Sequence, residues 1–283
     1  MFPLKELLAV SGMARSTFYY YLKQKGKDKY QAEKALIIEI YNTNKSRYGY
    51  RRVWAKMRAK GYEINRKTVL KLMKMLNLKG KQSKNGKYHS YKGTVGKTAD
   101  NELKRNFHAD KPYEKMVTDV TEFKVFDVKI YLSPILDLFN REILSYIISM
   151  SPNLQMTKDM LNKLFEKLPP DARPLFHSDQ GWQYQHPEYQ RLLAEHHIKQ
   201  SMSRKGNCLD NSVMENFFGR LKVEMFYGEK FESPRGFIEK LKEYIEYYNN
   251  ERISMNLDGM SPVQYRLSKE KKATESDKAE GKN

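Results

Sequence analysis

The sequence predicts an α/β unit with a mixed sheet, preceded by an all-α region. Three β-prone runs follow one another at about residues 116–126, 128–138 and 141–150, and helices then alternate with short strands. This order is typical of a mixed sheet that carries helices on its faces. Before residue 113, apolar residues recur at helical spacing and basic residues predominate. These observations predict a helical, basic N-terminal region joined to an α/β unit.

The N-terminal region divides into two helical units. Residues 4–24 form two short helices around a Ser11-Gly12 turn, the second starting at Ser16-Thr17. This pattern fits a helix-turn-helix, and it fits equally a small helical hairpin that uses its aromatic residues as a core. Residues 30–76 give three helices, the last of which follows Gly61 and has Asn65 as its N-cap. The second unit resembles a helix-turn-helix DNA-binding domain.

The positive charge is segregated along the chain. The protein has 52 Lys and Arg against 34 Asp and Glu, and residues 1–112 hold 27 of the basic side chains but only 8 of the acidic ones. Such an excess favours polyanions such as DNA. A merely soluble basic surface would explain the sign of the charge but not its segregation. Six basic residues of the helices are candidate DNA contacts: Arg51, Arg52, Lys56, Arg66, Lys67 and Lys71. For each of them the alternative is an ordinary solvated position on a helix.

Composition also excludes several classes of protein. The most apolar stretch, residues 130–150, is interrupted by Asp137, Asn140, Arg141 and Glu142 and falls short of a membrane span of roughly 20 apolar residues. The first residues lack a signal-peptide pattern. Cys208 is the only cysteine, so neither an intrachain disulfide nor a thiolate-rich zinc finger can form. We therefore expect a cytoplasmic protein without a membrane segment.

Three carboxylates, Asp119, Asp179 and Glu215, are the candidate catalytic residues. Asp119 lies within a β-prone run, Asp179 closes a short apolar run, and Glu215 opens a helix. The 35 residues between the last two are predicted to form a helix, a strand and a turn, which returns the chain to its starting point. Mg²⁺ prefers oxygen ligands, and two such ions promote in-line displacement at a phosphodiester. The spacing alone is weak, because a chain with 34 acids contains many such triples.

Neighbouring side chains are weaker candidates. Glu122 follows Asp119 by three residues and would project from the opposite face of a strand. His177 shares the strand face of Asp179, so either a supporting contact or a structural role fits it. Trp182 and Tyr184 fit either base stacking or core packing, with packing favoured.

The motifs around the carboxylates resemble a known family: the catalytic, second-reading-frame subunits of bacterial two-frame insertion-sequence transposases, which share the DDE core of retroviral integrases. The matching segments occur in order between residues 40 and 267. They are Thr118-Asp119-Val120-Thr121-Glu122, Tyr131-Leu132-Ser133-Pro134, His177-Ser178-Asp179-Gln180-Gly181, Ser203-Arg204-Lys205-Gly206-Asn207, Asp210-Asn211-Ser212-Val213-Met214-Glu215-Asn216, Tyr248-Asn249-Asn250-Glu251-Arg252 and Met260-Ser261-Pro262.

This resemblance implies a ribonuclease H-like fold and a DDE mechanism. It carries over Asp119, Asp179 and Glu215 as ligands of two Mg²⁺ ions, or of Mn²⁺ in their place. It implies cleavage and strand transfer at the ends of the element, with terminal-repeat and target DNA as partners. It also implies a homo-oligomer on DNA and an upstream-frame protein, separate or fused, that supplies a helix-turn-helix and a coiled coil.

Two further residues are predicted to contact DNA. Lys222 follows Glu215 by two helical turns on the same face, roughly 10 Å away. At that distance it suits a DNA phosphate better than neutralisation of the carboxylate, and the resemblance also implies a basic residue there. Asn211, four residues before Glu215, is predicted on the same face. An exposed lysine without a role is the alternative for Lys222.

The predicted organisation has five parts. Residues 1–27 are a helix-turn-helix-like segment, 28–79 a helical DNA-binding domain, 80–112 a flexible basic linker, 113–267 the catalytic core and 268–283 a charged, disordered tail. Two other functions stay open. A different nuclease or polynucleotidyl transferase would use the same metal ligands, and an inert DNA-binding regulator would use only the basic half.

Overall fold

The computed structural model describes residues 3–26, 28–82 and 97–280. Within these ranges the N-terminal region is entirely helical, as predicted. Its helices are α1 (Leu4–Ser11), α2 (Arg15–Gln24), α3 (Gln31–Thr43), α4 (Tyr50–Ala59) and α5 (Arg66–Met75).

Helices α3, α4 and α5 form a three-helix unit with its own apolar core. Each buries residues at helical spacing, such as Ile37 in α3, Met57 in α4 and Leu72 in α5. The Asn65 side chain accepts a hydrogen bond from the Lys67 amide at 2.8 Å, which confirms Asn65 as the N-cap of α5. Ile253 from the far end of the chain joins the same core, so the helical unit packs onto the remainder of the protein.

Helices α1 and α2 differ in detail from the prediction. Helix α2 starts at Arg15, and the residue before it, Ala14, makes no side-chain capping bond. The tyrosines of α2 are exposed: Tyr20 and Tyr21 keep 61% and 62% of their surface. Helix α1 has no buried residue. The alternative of a helical hairpin with an aromatic core is therefore wrong for the described residues.

One mixed sheet organises the rest of the protein. Its strands are β1 (Lys115–Thr118), β2 (Thr121–Val125), β3 (Val128–Asp137), β4 (Ile143–Ser149), β5 (Leu175–Ser178) and β6 (Lys199–Met202). Strand β3 is antiparallel to β1, β2 and β4, whereas β1, β5 and β6 are parallel to one another. This arrangement, with helices on both faces, confirms the predicted fold class.

Strands β1 and β2 are two halves of one interrupted strand. Thr118 pairs with Ile135 and Thr121 with Leu132, so both halves share one register on β3. The interruption falls at Asp119, and the same register brings Pro134 opposite it. Proline has no amide hydrogen to donate across the sheet, which accounts for the break. The predicted continuous run 116–126 is therefore split at the candidate carboxylate.

Helices cover both faces of the sheet. They are α6 (Leu154–Phe165), α7 (Trp182–Gln185), α8 (Pro187–Glu195), α9 (Ser212–Leu221), α10 (Pro234–Asn250) and α11 (Pro262–Glu280). Met116 packs with α6 and α8 on one face, and Val117 packs with α9 and α10 on the other. Successive side chains of β1 point to opposite faces of the sheet, so Met116 and Val117 belong to two separate apolar cores. No described helix is long and apolar enough to cross a membrane.

The predicted linker is partly built into the core. Residues 83–96 lie outside the described residues, but residues 97–112 follow the free edge of β6. The Leu103 amide donates to Ser201 Oγ at 3.1 Å, and the Met202 amide donates to the Asp100 carbonyl at 3.2 Å. Leu103 itself is buried. An edge strand leaves backbone groups that need partners, and this segment supplies them.

The predicted disordered tail is helical as far as it is described. Helix α11 continues to Glu280, and residues 281–283 lie outside the described residues. Lysine, glutamate and alanine favour helices, and ion pairs one turn apart support this one. Arg266 pairs with Glu270 at 3.2 Å and Lys271 with Glu275 at 3.9 Å.

Candidate active site

Asp119 and Asp179 follow neighbouring parallel strands. Val117 of β1 lies opposite His177 of β5, and each aspartate comes two residues after its member of this pair. The carboxyl ends of parallel strands meet at one edge of a sheet, where α/β proteins commonly bind ligands. The fold therefore brings these two carboxylates to the same edge, as the sequence predicts.

Local hydrogen bonds orient both aspartates. Oδ1 of Asp119 accepts from the Val120 amide at 2.7 Å, and Oδ1 of Asp179 accepts from the Gly181 amide at 2.9 Å. A Cβ on Gly181 would lie 3.0 Å from Asp179 Oδ1 and 2.8 Å from Gln183 Nε2. Glycine is thus required here by the close approach of the carboxylate.

Glu215 lies in the first turn of α9. The Asn211 side chain donates to the Thr118 carbonyl at 3.1 Å and so ties the start of α9 to the end of β1, one residue before Asp119. Asn211 lies in a 3₁₀ turn rather than on α9, and it is only 4% exposed. This corrects its predicted role as a DNA contact: its amide is used inside the protein to join two elements of the site.

Burial, rather than a neighbouring cation, shifts the pKa of two of the three carboxylates. Burial raises the pKa of Asp179, against the opposing effect of the Gly181 amide, and burial also raises the pKa of Glu215. No Lys or Arg among the described residues contributes to either shift. Partly buried carboxylates without a cation favour a bound metal ion.

Carboxylate oxygens on rigid elements are suitable ligands for Mg²⁺, which keeps several of its waters and needs few protein ligands. Within the described ranges, however, no three His, Cys, Asp or Glu side chains lie close enough together to hold a metal ion, so the three carboxylates are not assembled as one ligand set. The donor set fits Mg²⁺ chemically, in an open rather than a preformed arrangement.

Lys222 is the cation associated with this edge. It begins a π-helical turn, Lys222–Phe226, that continues α9, and its Nζ lies 5.4 Å from the centroid of the Phe123 ring. Burial lowers the pKa of Lys222, and the charges of Asp119 and Glu122 oppose that shift. Lys222 is therefore half-buried and faces the carboxylates, so it is not a freely solvated lysine.

Comparisons with known proteins identify the family. The integrase core domain model matches residues 109–208 and a second model of that description matches residues 215–269, while an HTH-like domain model matches residues 28–86. The chain is 53% identical over 266 residues to the putative transposase InsK for insertion sequence element IS150 of Escherichia coli strain K12, which covers 94% of both proteins. The chain belongs to the insertion-sequence transposases. An integrase-type core indicates polynucleotidyl transfer.

Other similarities extend over most or part of the transposase. It is 30% identical over 272 residues to the transposase InsF for insertion sequence IS3A of E. coli K12, covering 93% of this chain and 94% of that one. The integrase chain of a simian T-cell lymphotropic virus intasome in complex with PP2A regulatory subunit B56 gamma gives a TM-score of 0.46 at 16% identity, covering 56% of this chain and 57% of that one. The HTLV-2 integrase catalytic core domain in complex with magnesium gives 0.40 at 16% identity, covering 56% and 99%.

A buried polar cluster beside the site had no signal in the sequence. In the transposase, Asp210 is fully buried and accepts bonds from Arg204 and Arg105. The Arg204 hydrogen bond in particular holds the Asp210 pKa far below its usual range. His177 is also buried, between the hydroxyls of Ser201 and Ser203 at 2.8 and 3.0 Å. Burial lowers the His177 pKa to about 4, so it is a neutral link between β5 and β6.

The Tyr184 side chain is fully buried and packs in the core, as the sequence favours. Glu122 is exposed and is bonded to Lys129 at 3.2 Å, and its charge also acts on Lys222.

Arg52 joins the helical unit to the catalytic core instead of facing DNA. Its guanidinium lies 3.3 Å from Oε1 of Glu224, a carboxylate that is only 4% exposed. Glu224 also accepts two bonds from Arg252, at 2.7 and 2.8 Å, and one from the Tyr244 hydroxyl at 3.0 Å. We call these four side chains the Glu224 cluster. Arg52 was predicted as a DNA contact because its partner is 172 residues away in sequence.

The remaining predicted DNA contacts lie on the surface of the helical unit. Arg51, Arg66, Lys67 and Lys71 are exposed, and Lys56 is half-buried. Arg66 and Lys67 occupy the first turn of α5 with no acid beside them. Cations at the positive end of a helix are unfavourable unless an anion neutralises them. Their placement therefore supports contact with phosphates.

Proposed function

We propose that this transposase cleaves and joins DNA strands at the ends of its insertion sequence, with Asp119, Asp179 and Glu215 as ligands of two Mg²⁺ ions. The observation that supports the proposal is the pairing of the strands that precede the two aspartates. The parallel pairing of β1 and β5 brings both aspartates to one sheet edge. The Asn211–Thr118 hydrogen bond draws the Glu215 helix to the same edge.

Different local contacts orient the three carboxylates, which share one proposed role as metal ligands. Asp119 and Asp179 are oriented by amides of their own turns, and Glu215 by the rigid first turn of α9. Mg²⁺, or Mn²⁺ in its place, would supply neutralisation of phosphodiester oxygens during in-line displacement if held by these carboxylates. The same site would serve two reactions. In the first, water forms a bond to phosphorus at the element end and the P–O3′ bond breaks, which leaves a 3′-hydroxyl and a 5′-phosphate; in the second, that 3′-hydroxyl forms a bond to a target phosphorus and the target P–O3′ bond breaks, which releases a target 3′-hydroxyl.

Lys222 holds a phosphate of the DNA next to this site. Its side chain lies between Phe123 and the carboxylate edge, which limits its freedom before DNA binds. A fixed ammonium group there orients the backbone of the substrate strand without replacing a carboxylate ligand. Asn211 contributes indirectly, by holding α9 against β1.

The exposed basic residues of the helical unit bind the DNA that leads to the active site. Arg51, Arg66, Lys67 and Lys71 face solvent, with Lys56 at their margin. Phosphate contacts of this kind release counterions, so binding weakens steeply as salt rises. Because the Glu224 cluster joins this unit to the core, DNA bound by the helices is presented to the carboxylates at a fixed position.

The proposed assembly includes more than one chain. DNA comprises the terminal repeats of the element and the target. An upstream-frame helix-turn-helix and coiled-coil protein, separate or fused, and a homo-oligomer on DNA complete it. The proposed location is the cytoplasm, on the nucleoid.

A joining assay with mixed oligonucleotides tests this function against its two rivals. Duplexes with the terminal repeat and duplexes of shuffled sequence are offered together, with and without Mg²⁺. We expect Mg²⁺-dependent joining of terminal-repeat duplexes only. Joining or cutting of both duplexes alike would indicate a general nuclease or transferase, and binding without any cleavage would indicate an inert regulator.

A further inference from the structure

A cavity of about 770 Å³ lies under the β3–β4 turn and beside α9. Its volume is in the range of pockets that hold a small organic group. The wall has an aromatic part, formed by Phe107, Phe139, Phe217, Tyr248 and Tyr265. Asn216 and Arg220 of α9 line this cavity and also the smaller cleft that contains Glu215. The cavity is therefore adjacent to the cleft of Glu215, and neither Asp119 nor Asp179 lines it.

Arg141 is the unusual residue of this cavity. Its Nη2 donates to the Phe107 carbonyl at 3.2 Å, while its Nη1 is buried and has no hydrogen-bond partner among the described residues. Its φ is +65°, a left-handed conformation that arginine rarely adopts and asparagine tolerates better. The left-handed φ belongs to the β3–β4 turn, in which the Arg141 amide donates to the Asp137 carbonyl at 2.9 Å. The buried Nη1 is not explained in this way, and an unsatisfied buried donor costs stability.

The acids near Arg141 do not satisfy it. Asp137 attracts Arg141 but forms no ion pair with it within the described chain, because its oxygens accept the amides of Tyr113 and Phe139 at 2.8 and 2.9 Å. Glu142, the next residue, is bonded to Arg266 at 2.9 Å. Asp110 lines the cavity, but it is almost fully exposed and contacts His108.

The cavity is positive. Arg220 and Lys269 also line it, and within the described ranges neither has an acidic partner. Burial raises the pKa of Tyr248, and the charges of Arg252, Arg220 and Arg141 all act against that rise. Three guanidinium groups therefore act on the Tyr248 hydroxyl in the wall of the cavity. An anion is the group whose entry such a site favours.

We propose that this cavity binds one nucleotide of the DNA strand held by the active site, with its phosphate at Arg141 and Arg220 and its base against the aromatic wall. The proposal rests on the proposed function, because that function supplies the strand beside Glu215. Arginine binds phosphate through paired N–H groups, and aromatic rings stack on bases of any sequence. A phosphate oxygen is then the partner that the buried Nη1 of Arg141 lacks.

The test compares the parent protein with Arg141→Asn and Arg220→Ala, and uses Lys242→Ala on the exposed face of α10 as the control. Binding of a single-stranded oligonucleotide is measured in EDTA, so neither metal nor cleavage enters the result. We expect about tenfold weaker binding by Arg141→Asn and Arg220→Ala, and parental binding by Lys242→Ala. We also expect a melting temperature for Arg141→Asn at or above that of the parent. A merely structural Arg141 would give a lower one.

Two further arms identify the ligand and its place. An oligonucleotide with one 5-iododeoxyuridine is photocrosslinked, and we expect adducts on peptides that contain Phe139, Tyr248 or Tyr265. A free deoxynucleoside monophosphate is offered as the second probe. Two results would overturn the proposal. In the first, both arginine variants bind the oligonucleotide like the parent; in the second, they lose binding of the free monophosphate but keep parental binding of the oligonucleotide. Failure of the proposed function would appear instead as missing Mg²⁺-dependent cleavage, with these binding results unaltered.

Discussion

Lys222 combines partial burial with attraction by two acids. Its pKa is lowered by burial, while Asp119 and Glu122 favour its charged form. The cation–π contact with the Phe123 ring keeps the ammonium group near the carboxylate edge. A lysine in this setting acts as an anion-binding group when a further anion is present. In the proposed reaction that anion is a DNA phosphate.

We therefore expect Lys222→Ala to weaken both binding and joining of terminal-repeat DNA. The logarithmic dependence of affinity on salt should become shallower by about one contact. Lys222→Glu should be worse through repulsion, and metal binding should persist in both. Binding is measured by fluorescence anisotropy across a salt series, with Lys230→Ala, an exposed lysine beyond the π-helical turn, as the control. Parental joining by Lys222→Glu at every salt concentration would remove Lys222 from the site.

Single residues show how far the sequence alone could lead. Asp179 is predicted because it closes a short apolar run, and Asp119 because an acid is out of place within a β-prone run; both signals are local. Asn211 was assigned to a helix face because its neighbours are helical, but it lies in a 3₁₀ turn whose start depends on Arg204 and Arg105 binding Asp210. The bonds of Asp210 and His177 join distant segments, so no local pattern contains them.

At the scale of elements, helix α4 divides its charges between two tasks. Arg51 is exposed, whereas its neighbour Arg52 contacts Glu224 in the core. Adjacent residues on a helix point about 100° apart, so Arg51 faces solvent and Arg52 faces the protein. The sequence shows two equivalent arginines, because the partner that distinguishes them lies 172 residues away.

This pair gives a matched test of α4. Arg51→Ala should weaken DNA binding and change the free energy of unfolding by less than about 0.5 kcal/mol. Arg52→Ala should lower the free energy of unfolding by about 2 kcal/mol, since Glu224 loses one of its cations. Urea denaturation and DNA titration of both proteins measure the two effects. The same stability loss in both variants would refute this division.

The Glu224 cluster also makes stability depend on pH. Burial acts to raise the Glu224 pKa, but the hydrogen bonds and charge of Arg252, with the charge of Arg52, outweigh it and lower the pKa from 4.5 to about 2. A lowered folded-state pKa stabilises the protein above the unfolded value and ceases to do so as pH falls through the folded value. The contribution is thus complete above pH 4.5 and is lost towards pH 2.

We expect the free energies of unfolding of the parent and Glu224→Gln to differ most at neutral pH and to converge as the solution is acidified. The reason is that protonated Glu224 resembles glutamine in charge and shape. Urea denaturation at a series of pH values measures the difference. Two curves that stay parallel through this window would show that Glu224 is not held ionised by its arginines.

At the scale of the whole molecule, the fold joins two parts that composition separates. Charge and periodicity predict a basic helical unit and an α/β unit, and both are confirmed. The junction could not be predicted: residues 97–112 cover the β6 edge, Ile253 enters the helical core, and Arg52 meets Glu224. Each of these contacts joins segments remote in sequence. The helical tail was missed for another reason, because polar composition alone was taken as a sign of disorder.

This junction fixes the basic helical unit, which carries the segregated positive charge, relative to the catalytic core. DNA held by the exposed cations of α4 and α5 is fixed relative to the carboxylate edge, because the Glu224 cluster follows Glu215 on one continuous helical segment. The DNA-binding unit and the catalytic core therefore act as one body in the proposed reaction.

The central claim is that Asp119, Asp179 and Glu215 hold the metal ions that catalysis requires. The most direct measurement is Mg²⁺-dependent cleavage of a labelled terminal-repeat duplex by Asp119→Asn, Asp179→Asn and Glu215→Gln, with DNA binding measured in parallel. Exposed acids provide matched controls, Asp171→Asn and Glu239→Gln. Each amide keeps the shape of the side chain but removes the charge that binds Mg²⁺. The account predicts that all three variants bind the duplex like the parent and do not cleave it, while both controls cleave. Mg²⁺-dependent cleavage at the parental rate by any one of the three would contradict it.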